Sequence, residues 1–170
     1  MSTEALWAGW RMPFMDRAAG QLETDSRPCV LCEIVRGGEA SDDDLMIVHR
    51  AAHALVVLNI YPYTAGHVMV VPHTHGAKLS DLDEATRLEC GELVELAVRA
   101  LEVAYHPEGF NVGMNLGRAG GAGFADHLHT HVVPRWLGDT NFMTSVANVR
   151  VLPEALSQTR DRLRAAWMKS

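Results

Sequence analysis

His127-Leu128-His129-Thr130-His131-Val132-Val133 alternates imidazoles with non-histidine residues, and its reading decides the fold. As a strand, the period of two puts all three rings on one face, with Leu128 and Val132 on the other. Same-face neighbours then lie roughly 6.6–7 Å apart and the outer pair roughly 13 Å. Two adjacent rings can share a zinc ion at bond lengths of ~2 Å, but three on a straight strand would be strained around one ion. A row of imidazoles suits a phosphate ester better, one ring attacking while its neighbours hold protons. The plain alternative is a polar face on an edge strand, but buried imidazoles need partners and are costly without them.

Around this stretch the chain punctuates itself. Upstream, Gly117–Gly123 is a glycine-rich loop and Phe110–Leu116 a strand. Before these, Ser80-Asp81-Leu82-Asp83 supplies a hydroxyl cap and first-turn acids for a long helix. Leu82, Ala85, Leu88, Leu93, Leu96, Ala97, Ala100, Leu101 and Ala104 carry its apolar stripe through about Tyr105, and Pro107 and Gly109 close it. Leu45–Val48, Ala54–Leu58 and His67–Val71 read as strands. Pro153 opens a final amphipathic helix to about Lys169. The order predicts an α+β fold: a mostly antiparallel sheet with one long central helix and a C-terminal helix. Residues 1–24, with Leu6, Trp7, Trp10, Met12 and Phe14, read as an arm packing on the body, and 25–170 as a single domain.

The 170 residues hold 15 Lys+Arg against 21 Asp+Glu, a formal net charge of −6 that argues against general nucleic-acid binding. A nucleotide substrate is still compatible, since a local pocket can oppose the overall sign. No apolar run reaches signal-peptide or membrane-spanning length, so the expectation is a soluble, cytoplasmic protein without membrane partners. Three cysteines do not make a disulfide framework. Cys29-Val30-Leu31-Cys32 alone reads as a redox pair, half a zinc site or coincidence. Cys90 reads as a packed helix residue. His49, His53, His73 and His106 read as surface or loop residues, and Asp42-Asp43-Asp44 as a solvated loop. Asp126 stands where a carboxylate can raise the basicity of a neighbouring histidine or equally face solvent.

The string His127–Val133 resembles the signature of the histidine triad family of nucleotidyl hydrolases and transferases. The resemblance extends to Leu58-Asn59-Ile60-Tyr61-Pro62, Gly66–Pro72, Gly109–Gly117, and Asp126 through Pro134-Arg135-Trp136, Gly138-Asp139 and Asn141-Phe142. These segments, with Leu6-Trp7 and Trp10-Arg11-Met12, are most similar to the bacterial diadenosine tetraphosphate phosphorylase branch. The resemblance implies a histidine-triad fold with His129 as nucleophile, forming a covalent nucleotidyl-histidine intermediate. His127 and His131 would orient it and handle charge, and His67 would complete the set. Asn59 would bind the ribose, and Asn115, Gly121 and Gly123 the phosphates. Trp136 would help hold a second nucleotide or serve as a core or interface residue. Gly123 stands where relatives carry Gln or Ser, a departure that bears on the choice of acceptor.

The resemblance further implies a structural zinc on Cys29, Cys32, His75 and His127, with no catalytic cofactor and magnesium arriving only as a substrate complex. It implies an adenine-nucleotide substrate and a homodimer or tetramer. Phosphate as acceptor makes the protein a phosphorylase; water makes it a hydrolase of the same substrates. A phosphoramidate hydrolase and a non-catalytic, zinc-stabilised nucleotide-binding protein are the rivals. A DNA-deadenylating role is disfavoured by the charge.

Overall fold

A computed structural model describes residues 28–139 and 154–169. The arm at 1–24, Asn141-Phe142 and Pro153 lie outside the described residues. The elements run α1 (Val30–Arg36), β1 (Ile47–Arg50), β2 (Ala54–Leu58), β3 (Val68–Pro72), a 3-10 turn (Leu79–Asp81), α2 (Glu84–Tyr105), β4 (Gly109–Met114), β5 (Thr130–Arg135) and α3 (Leu156–Trp167).

The strands form one sheet in the order β1-β2-β3-β5-β4, and every neighbouring pair is antiparallel. Because β5 runs against both β3 and β4, those two strands are parallel to each other. Their connection is the long crossover α2, the kind of link that parallel strands require.

The crossover determines what each sheet face buries. Val56, Leu58, Val68, Val70 and Val132 pack with Cys90, Leu93, Ala97 and Leu101 of α2 and Leu163 of α3. Ile47, Leu55, Val57, Met69 and Val71 point the other way and pack with Leu31 of α1. Both faces are covered, which is why β2 and β3 are apolar without alternation. His131 pairs with Met69 across β3 and with Gly113 across β4, so it lies on the α1 face. Gly113 places no side chain over it.

Several sequence expectations shift. The long helix is capped by Asp83, whose carboxylate accepts from the Thr86 amide at 2.8 Å, rather than by Ser80, which sits in the preceding 3-10 turn. Leu93, Ala97, Ala100 and Leu101 of the expected stripe are buried, but Leu88 is 63% exposed, and Thr86 and Cys90 complete the buried face. Helix α1, built on the Cys-x-x-Cys segment, was not anticipated. The C-terminal helix starts at Leu156, beyond Pro153. Most consequentially, β5 begins at Thr130, so His127 and His129 precede the strand and the three rings do not line up along it.

Candidate active site and metal cluster

Leaving the strand lets each histidine of the signature take a different task. Leu128 N–H donates to Gly76 O at 2.7 Å, stitching the segment before β5 to the segment after β3. That bond brings His127 beside His75 and the two cysteines of α1. Cys32 Sγ lies 3.2 Å from His75 Nδ1 and 3.4 Å from His127 Nδ1; Cys29 Sγ lies 3.5 Å from His127 Nδ1. The four ligand atoms fall within 4.8 Å of one another. Zinc bonds of about 2.0–2.3 Å make tetrahedral edges of roughly 3.4–3.8 Å, close to the three sulfur–nitrogen separations. His127 Nε2 donates to Pro72 O at 2.9 Å, so its Nδ1 keeps the lone pair that faces the sulfurs. The two thiols and two imidazoles therefore fit a closed tetrahedral metal site.

The next histidine is fixed by the same residue. His129 Nδ1 lies 2.9 Å from His127 O. A carbonyl only accepts, so Nδ1 carries the hydrogen and Nε2 is left with its lone pair. Burial pushes the His129 pKa below the usual histidine range, the backbone bond to His127 partly opposing. His129 is 4% exposed and neutral, with its lone pair on Nε2.

A hydrogen-bond chain of fixed polarity reaches the third ring. Tyr63 N–H donates to His67 Nδ1 at 3.1 Å, so His67 Nε2 carries the hydrogen and donates to His131 Nδ1 at 3.0 Å. His131 in its neutral form then bears hydrogen on Nε2. Its pKa is pushed down to about 4, first by burial and then by His129. The His129 and His131 rings meet edge-on at 4.9 Å, and Phe124 stands edge-on to His129 at 6.1 Å. His67, 0% exposed, is held behind them. His127, also driven down by burial, has its nitrogens turned to the thiols and Pro72 rather than to a substrate.

The remaining candidates divide by position. Asn59 N–H donates to His67 O at 3.0 Å, which puts its backbone beside His67; its side-chain oxygen accepts from Tyr61 N–H. Asn115 Nδ2 donates to Gly121 O at 3.3 Å and ties down the glycine-rich loop. That loop needs its glycines: Gly117 and Gly121 have φ of 67° and 85°, and a Cβ on Gly120 would meet Leu116 O at 2.4 Å. Gly121 N–H already donates to Arg118 O at 2.9 Å, so a phosphate would compete for it. Gly123 is exposed ahead of Phe124. Trp136 follows the far end of β5, roughly 20 Å along the strand from His129, and is not brought to the triad within one chain. Asp126 is exposed and bonds no triad histidine.

Sequence reasoning passed over Tyr63 and Phe124; the only signal available was aromatic residues flanking a histidine motif. His49 is less peripheral than expected, stacking on Trp167 of α3 at 4.9 Å.

Comparison with known proteins adds an independent line. Residues 41–136 match the family model described as the HIT domain. The chain is 36% identical over 166 residues to an AP-4-A phosphorylase of Mycobacterium tuberculosis, covering 98% of this chain and 85% of that protein. It is 30% identical over 136 residues to an adenosine 5'-monophosphoramidase of Schizosaccharomyces pombe, covering 76% and 96%. Among solved structures, a Zn-bound histidine triad family protein from Mycobacterium smegmatis superposes with a TM-score of 0.68 at 31% identity, over 83% of this chain and 94% of that one.

Proposed function

The chain belongs to the HIT-domain (histidine triad) family, and from that premise we propose that it is a nucleotidyl-transfer enzyme for dinucleoside polyphosphates such as diadenosine tetraphosphate, with inorganic phosphate as acceptor. The observation that carries this reading is the bond from His129 Nδ1 to His127 O, which leaves Nε2 free to attack. In the first step Nε2 bonds to the α-phosphorus and the bond to the leaving ATP oxygen breaks. The nucleotidyl-imidazole keeps its Nδ1 hydrogen and is cationic, which the His127 carbonyl supports and which makes the imidazole easier to displace. In the second step a phosphate oxygen bonds to phosphorus, the P–N bond breaks, and ADP leaves with His129 restored. Water in place of phosphate yields AMP.

His131 Nε2–H is aimed by the chain from Tyr63 through His67 to hydrogen-bond phosphoryl oxygens. Held neutral, His131 is a donor rather than a strong acid. An ATP anion departs without a proton, whereas an amine needs one, and this favours a polyphosphate over a phosphoramidate. The phosphoramidase relative keeps the second reading open to test. Asn59 would hold ribose hydroxyls, while Asn115, Gly121 and Gly123 would line the phosphates; magnesium would arrive with the substrate.

Cys29, Cys32, His75 and His127 would hold zinc in a structural role, locking the segment whose carbonyl orients His129. The exposed edge of β4 supports pairing with a second copy.

The test is incubation with diadenosine tetraphosphate with and without inorganic phosphate, resolving the products. ADP plus ATP only in the presence of phosphate is the expected result. AMP plus ATP regardless of phosphate makes water the acceptor. Cleavage of an adenosine phosphoramidate but not of the tetraphosphate overturns the substrate assignment.

A further inference from the structure

The His67–His131 pair has a neighbour outside the signature. Tyr63, in the turn between β2 and β3, gives its amide hydrogen to His67 Nδ1. Its ring lies 4.7 Å from the His67 ring and 6.2 Å from the His131 ring, tilted by 32° and 37°. The two imidazoles are themselves 5.1 Å apart. One tyrosine thus meets both members of the pair with its ring and sets the polarity of their hydrogen bond with its backbone.

The pair needs such a wall. The terminal torsion of histidine is broad and roughly two-fold, so a ring flip exchanges nitrogens for carbons at little intrinsic cost. A flip of either ring would break the 3.0 Å bond, and a flip of His131 itself would turn its Nε2–H away. Among the described residues no carboxylate bonds His129 or His131 to hold them instead. The groups facing His131 are His129, His67 and the Tyr63 ring. An aromatic face within about 6 Å also attracts positive charge, so it favours the pair when bound phosphate polarises it.

We propose that Tyr63 is a positioning residue whose ring holds His67 and His131 in the one arrangement that presents His131 Nε2–H to the reacting phosphate. This rests on the nucleotidyl-transfer reading above and extends it to a side chain outside the triad.

The test compares Tyr63→Leu and Tyr63→Met, which remove the ring, with Tyr63→Phe, which keeps it. Two readouts are taken: kcat and KM with diadenosine tetraphosphate, and nitrogen-15 NMR of the histidine tautomers in substrate-free protein. The expected result is a kcat about tenfold lower for Leu and Met with KM within twofold. Phe should recover most of that loss, and His131 should change from one tautomer to a mixture only in Leu and Met. A raised KM at unchanged kcat would make Tyr63 a nucleotide contact instead. Unchanged kcat and tautomers, or a Phe variant as impaired as Leu, would also overturn the proposal. If Leu fails to fold, Met carries the same comparison. If the wild type does not turn over the tetraphosphate, the nucleotidyl-transfer reading fails while the tautomer spectra still decide the role of Tyr63.

Discussion

His127 and His129 share one backbone carbonyl, and much of the chemistry follows from it. His127 turns its nitrogens to Cys32 and Pro72, and its oxygen selects which nitrogen of His129 is free. Replacing His129 by Ala should therefore lower kcat by at least ~10³-fold, about 4 kcal/mol of barrier, with nucleotide affinity nearly unchanged. Steady-state kinetics beside calorimetric binding of a non-hydrolysable analogue would check it, and activity within tenfold of wild type would rule out the covalent route. The same residues make stability depend on pH. His131 titrates near 6.5 when unfolded and near 4 when folded, so between those values the unfolded chain binds more protons. Stability is fully present above about pH 6.5 and falls as pH drops towards 4. The His131 share is about 3 kcal/mol, and His127 and His129, lowered by burial, act in the same direction. Urea unfolding at pH 7, 5.5 and 4 should show the decline, and His131→Asn should flatten it. The histidine string named these residues from sequence alone. Their tautomers were not legible, because they depend on Tyr63 N–H, Pro72 O and His127 O, whose placement comes from the folded chain.

At the scale of elements, the strands read best and the connections least. Ala54–Leu58 stands as read because a buried strand is a short apolar run between turn residues. Helix α1 was invisible, since its seven residues are too few to show a period, and its role comes from contacts with β3 and the segment before β5. Two connections carry predictions. Gly66 has φ of 80°, and a Cβ there would lie 2.7 Å from Leu101 Cδ2 in the buried core. Gly66→Ala should cost roughly 1–3 kcal/mol in urea unfolding and should lower kcat by displacing the adjacent His67. A neutral effect on both would mean the turn relaxes freely. The cluster that joins α1 to the triad segment is the second. Cys29→Ser with Cys32→Ser should abolish about one equivalent of bound zinc and cost roughly 2 kcal/mol, about 5 °C in Tm. A wild type that carries no metal and is indifferent to chelators would sink the structural-zinc reading.

At the scale of the molecule, the crossover α2 seals one face of the sheet with α3, leaving the triad on the face that α1 covers in part. The α+β class and the two principal helices were legible because their periods are long enough to read; the strand order was not, since β5 inserts between β3 and β4 by non-local pairing. Among the described residues that order leaves β4 at an edge, bonded only to β5, with Val112 at 50%, Met114 at 37% and Leu116 at 52% exposure. An unpaired strand edge carrying apolar side chains is what proteins ordinarily blunt with charge, cover or pair. The residues of β4 itself, Gly109–Met114, include no charged side chain to blunt it. Edge-to-edge pairing of two copies would bury the three apolar side chains and satisfy the free backbone groups together. Light scattering should therefore give twice the chain mass, and Val112→Lys with Met114→Lys should halve it by placing like charges across the new seam. Because β4 leads into the loop that carries Asn115 and Gly121, the monomeric variant should also bind nucleotide more weakly while retaining its zinc. A wild type of single-chain mass at micromolar concentration would show instead that this edge is left open.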